Sequence, residues 1–166
     1  MQLINSGFNE DIEQLIDEAE LSERQQQRLE REFARDYHLI TRDDRLEEIA
    51  RDIVAHFMGR GQKGKAMIVS IDKATAVRMY DKVQKHWKRY LEDLRVRLRA
   101  SASDTPERQA LQEHIAYMET TDMAVVVSQS QNEIEDFRQR GLDILPHRRR
   151  MMKERLEDKF KKDDDP

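Results

Sequence analysis

The chain of 166 residues contains no cysteine. That excludes disulfides and thiolate metal sites, and it agrees with a reducing, cytoplasmic setting. Long apolar runs are missing too, and nothing approaches the roughly 20 consecutive apolar residues of a membrane-spanning helix. Residues Met1 to Glu13 carry neither the basic flank nor the apolar stretch of a secretion signal. His38, His56, His86, His114 and His147 never stand three or four residues apart, so no histidine metal pair is spelled out. No spacing of serine, histidine and aspartate marks a nucleophile. No catalytic residue and no metal ligand is therefore expected in this chain.

Charge is what the sequence has in abundance. Charged residues make up 39% of the chain and hydrophobic ones 37%, with a mean hydropathy of -0.93. The apolar residues are nevertheless patterned, which points to long amphipathic helices around a modest core rather than to disorder. The net charge is -4 but unevenly spread. Residues 1–37 hold ten acidic residues against four arginines, whereas residues 82–99 hold seven Lys or Arg against Glu92 and Asp93. A local basic face attracts phosphates even on an acidic molecule. Taken alone, however, the run that includes Lys85, Lys88 and Arg89 reads as a solvated helix face.

Apolar spacing predicts three helices in the first part. Phe8, Ile12, Leu15, Ile16 and Ala19 stripe one; Ser22 and Gln25 resemble a capping box before Leu29, Phe33 and Tyr37; Leu46 to Met58 form the clearest, ended by Gly59 and Gly61. Residues 66–71 and 123–128 are short and apolar on both faces, which suits strands buried in a parallel sheet. Between them lie a long helix striped by Val77, Val83, Trp87 and Leu94, and one opened by Pro106 that carries Leu111, Ile115 and Met118. A helix over 131–140 with Ile134 and Phe137 inward, stopped by Gly141, and a last helix over 147–160 complete the chain. The alternation predicts an α/β fold: helix-rich, with a partial parallel sheet of two strands, in which 1–60 form a helical connector and 61–166 a partial lobe. Two such strands would leave sheet edges bare and call for further strands.

Gly59 to Ala66 has the outline of a phosphate-binding loop, but Ala66 offers no hydroxyl to magnesium, and the segment follows a helix where such a loop follows a strand. It reads as a turn. The carboxyl ends of the two predicted strands are better candidates, because ligands of open parallel sheets gather there. Ser70, Lys73, Ser128 and Asn132 stand at those ends with side chains suited to phosphate contacts. The plainer alternative is that Asp72 and Ser130 simply cap the helices that follow.

Lys65 to Val83 resembles the strand and helix that open the second RecA-like lobe of the motor subunit of type I restriction enzymes, a segment counted as helicase motif IV. Tyr37 to Arg45 and His56 to Met58 resemble the stretch leading into that lobe, and Asp122 to Phe160 the segment after it. The resemblance covers most of residues 8–166. It implies a piece of a superfamily 2 translocase, which hydrolyses ATP with magnesium to pull double-stranded DNA and cuts it with a separate nuclease domain. Modification and specificity subunits would be its partners. The family's nuclease residues, phosphate loop and ATPase motifs would lie outside this chain, so no cofactor is expected in it and no activity of its own. The expected DNA contacts are Ser70, Lys73, Lys85, Lys88, Arg89, Ser128 and Asn132, weak and independent of sequence. The rival expectation is a self-sufficient helical interaction or nucleic-acid-binding module without catalysis.

Overall fold

The computed structural model describes residues 23–61 and 64–162. The predicted helix striped by Phe8 to Ala19, and the Ser22 end of the capping box, lie outside the described residues. Seven α-helices are formed among those described: α1 (Glu23–Ile40), α2 (Asp43–Gly59), α3 (Lys73–Ala100), α4 (Pro106–Thr120), α5 (Glu133–Gln139), α6 (Leu145–Lys153) and α7 (Leu156–Lys161). The chain divides into two compact units, residues 1–46 and 47–166.

In the first unit, α1 ends where Thr41 turns back on it, its backbone N–H and its hydroxyl both donating to the Tyr37 carbonyl at 2.9 and 2.8 Å. In the second, α3 and α4 form an antiparallel hairpin, and side-chain caps hold the helix ends. Asp72 accepts from the Thr75 N–H to start α3, Thr105 accepts from the Arg108 N–H to start α4, and Arg108 reaches back to the Leu98 carbonyl at 2.9 Å. These caps satisfy backbone groups that helix ends otherwise leave unpaired. Val83, Trp87 and Leu94 of α3 and Leu111, Ile115 and Met118 of α4 are all buried, and the Trp87 indole N–H donates to the Met118 carbonyl. Phe57 joins them, 5.8 Å from Trp87 and stacked on Tyr117 at 6.2 Å between ring centroids. A second core cluster forms from Val77, Val125, Phe137 and Ile144.

The expected parallel sheet is not there: no strand is formed among the described residues. Residues 64–70 and 121–130 are extended, as a strand would be, but neither pairs with the other. Apolarity on both faces had suggested burial on both faces. Instead Met67 is 72% and Val69 85% exposed, so only the conformation of a strand survives and not its environment. Two further details differ. Ile134 points outward while its neighbour Glu133 is buried, and the last predicted helix is two helices, broken at Glu154 and Arg155.

Candidate functional site

An open cleft of about 830 Å³ lies between the two extended segments. Its floor comes from α2 and α3, through Phe57, Met79, Val83 and Trp87, and Phe160 of α7 stands against it. Each segment is pinned by side chains rather than by a neighbouring strand. Gly64 holds the start of the first: the Tyr117 hydroxyl donates to its carbonyl at 3.0 Å and accepts from its N–H, and Arg60 donates to the same carbonyl at 2.8 Å. Next to it, the Lys65 ammonium donates to the carbonyls of Lys159, Phe160 and Lys162 at the end of α7. A cation suits a helix C-terminus, where carbonyls lack intrahelical donors.

The second segment is held by two arginines of α6. Arg150 donates to the Met123 carbonyl at 2.8 Å and pairs with Asp122 and Glu154. Arg148 donates to the carbonyls of Val127 and Ser128, both at 3.1 Å, and pairs with the buried Glu133 through two bonds of 2.9 and 2.5 Å. The fork of a guanidinium is what allows one side chain to serve a carboxylate and two carbonyls together. Glu154, between Arg150 and Lys159, is held down to about 2, and the Arg150 guanidinium is pushed up by Glu154 and Asp122. Sequence reasoning missed this arrangement. Its only trace in the sequence is the Arg-Arg-Arg run at 148–150, whose partners lie on other segments.

Three of the predicted site residues share one cleft. Ser70, Lys73 and Ser128 line the cleft, and Lys73 opens α3 with no carboxylate partner among the described residues. Asn132, which does not line it, is the N-cap of α5 in a left-handed conformation (φ 55°) with no side-chain capping bond, and Ser130 caps nothing there. Asp72 caps α3, as its plainer reading had it.

Lys85, Lys88 and Arg89 stand elsewhere on α3. Lys85 shares the Glu47 carboxylate with Lys82 and His86, at 2.5, 3.1 and 3.0 Å. Lys85 foremost, and then Lys82, hold Glu47 down to about 2. Arg95, Arg97 and Arg99 are likewise paired with Glu119, Glu107 and Glu92, which leaves Lys88 and Arg89 exposed without an ion pair among the described residues.

No protein-family model matches the chain, and no curated protein or solved structure proves detectably similar to it.

No group of three or more His, Asp or Glu among the described residues could hold a metal ion. ATP with magnesium does not fit the Gly59–Ala66 outline either: residue 66 is alanine, and the Lys65 ammonium is committed to the α7 carbonyls. No ATP-dependent step is assigned to these residues. No helix is long and apolar enough to cross a membrane among the described residues.

Proposed function

We propose that this chain is a non-catalytic part of a cytoplasmic, DNA-translocating motor subunit of the type I restriction kind, and that it meets the phosphates of double-stranded DNA at one end of its cleft. The observation that carries the reading is the convergence of Ser70, Lys73 and Ser128, from segments nearly sixty residues apart, on a single cleft. Two hydroxyls and an ammonium with no carboxylate partner, lining one cleft, offer groups for phosphate oxygens, and such contacts position DNA without reading its sequence. The resemblance of Lys65 to Val83 to motif IV supports the same reading. ATP hydrolysis, cleavage and target choice would belong to other parts of the enzyme and to its modification and specificity subunits.

The test is fluorescence anisotropy with a labelled duplex of random sequence over a salt series. Binding is expected to be weak and to fall steeply with salt, and Lys73→Ala should reduce the slope of log affinity against log salt by about one. Wild-type binding by Lys73→Ala, or no binding at low salt, overturns the reading. The second reading, a self-sufficient interaction module, is favoured by the ion pairs along α3, because five of the seven basic residues at 82–99 already have acidic partners. Loss of DNA binding on replacing Lys88 and Arg89 alone, with Lys73→Ala silent, would move the contact to that face of α3.

A further inference from the structure

Backbone hydrogen bonding is nearly always satisfied in folded chains, by protein or by water. In residues 66–70 none of the backbone N–H or carbonyl groups is bonded to a described residue, and residues 66–69 are exposed, so water meets these groups until a partner strand replaces it. The second segment is paired only in part: nothing bonds to the Val125 backbone, and the Ser128 carbonyl is held by Arg148. In an extended chain, alternate residues direct their backbone groups to opposite edges. Met123 and Val127 direct theirs to α6, where Arg150, Arg148 and the Met151 sulfur meet them. Ala124 and Val126 lie on the other edge and have no partner among the described residues. The cleft separates these two unpaired rows, and its lining between them is apolar.

We infer that the cleft is an acceptor for one extended polypeptide strand, supplied by a protein partner, which inserts between residues 66–70 and 123–127 and pairs with both. An apolar small molecule or a helix would fill the volume but leave both rows of backbone groups unmet, whereas a strand meets them along its two edges. Charge narrows the occupant further. Lys73 and Lys161 line the cleft without carboxylate partners among the described residues. They outnumber Glu157, the lining carboxylate left over once Asp72 caps α3 and Asp122 pairs with Arg150. The fitting segment is therefore apolar and β-branched at its centre, with an acidic residue at each end. The inference does not rest on the DNA reading, and the two tests fail independently.

The experiment uses the full chain and a synthetic peptide of about seven residues, the length of an ordinary strand, with alternating valine and threonine between terminal aspartates. Amide hydrogen exchange followed by NMR should show saturable protection within 66–70 and at Ala124 and Val126. The same peptide N-methylated at alternate residues should bind at least about tenfold more weakly, since each methyl removes a donor from one edge. Val126→Pro and Val69→Pro should weaken binding comparably. Both positions are exposed, and the N-methylated probe tests the pairing even if a proline variant does not fold. Lysines in place of the peptide's aspartates should also weaken binding, more so at low salt. Equal binding of the methylated peptide, or no protection at saturating peptide, overturns the inference. Protection that appears without peptide as protein concentration rises also overturns it, by identifying a second copy of the chain as the occupant.

Discussion

Replacing Arg148 by methionine should be the most damaging single change in the second unit. The side chain of Glu133 is 6% exposed and that of Arg148 16%, so their pair is almost wholly withdrawn from water. Methionine keeps much of the apolar volume but leaves a buried carboxylate without its cation and the carbonyls of Val127 and Ser128 without their donor. Breaking a buried ion pair on one side costs about 3–5 kcal/mol. An unmet carbonyl adds roughly 1 kcal/mol where water cannot reach it. Against a typical total of about 5–15 kcal/mol, that is a large share of the stability. Urea denaturation followed by circular dichroism should show a lower midpoint, and thermal melting a drop on the order of 10 °C. Adding Glu133→Leu should restore much of the loss, because a well-packed apolar pair can be as stable as the buried ion pair it replaces. A loss below about 1 kcal/mol for Arg148→Met, with no recovery in the double variant, would refute the claim that this pair anchors residues 121–130.

Glu47→Gln should remove part of the acid sensitivity of the fold. A carboxylate held down to about 2 from an ordinary 4.5 stabilises the fold above the ordinary value, and that contribution is lost as pH falls through the interval, so wild type and variant should converge in urea midpoint below about pH 2. His147 acts at milder pH. Burial lowers its proton affinity below the ordinary 6.5, so the folded state favours the neutral ring against Tyr80, and stability should fall as pH drops below 6.5. His147→Phe should flatten that limb of a pH-dependent melting series. Met118→Ala empties a site buried between α3 and α4 and should cost about 2–5 kcal/mol in urea denaturation. Trp87, the chain's single tryptophan, reports that transition by fluorescence because its indole is bonded to the Met118 carbonyl.

The helices were legible because their burial follows from spacing within one segment. Leu46, Ala50, Val54 and Met58 recur every four residues, and all four are buried. Leu111, Ile115 and Met118 behave alike in α4. The extended segments were half legible: residues 66–71 and 123–128 announce a conformation, but pairing and burial depend on what lies beside them, which no local pattern encodes. The shift from Ile134 to Glu133 has the same origin. Glu133 is buried because Arg148, fifteen residues on, is placed to neutralise it, and charge alone had argued for the opposite orientation. Of the candidate site, the gathering of Ser70, Lys73 and Ser128 follows from segment ends that sequence does mark. The fate of the 82–99 basic run depended on Glu47, Glu107 and Glu119 arriving from other helices, which sequence does not show.

The length of α3 has a mechanical consequence. Its 28 residues make an unbroken rod of roughly 42 Å at 1.5 Å per residue. One end stands at the cleft beside Ser70 and Lys73, and the other carries the turn into α4. A tilt of about 5° pivoting at the Asp72 end would sweep the Ser101 end through about 4 Å over that length. Because Val83, Trp87 and Leu94 lock α3 to α4, the hairpin would swing as a single lever arm. A small adjustment at the cleft would thus be read out, magnified, at the tip carrying Ala102 to Thr105.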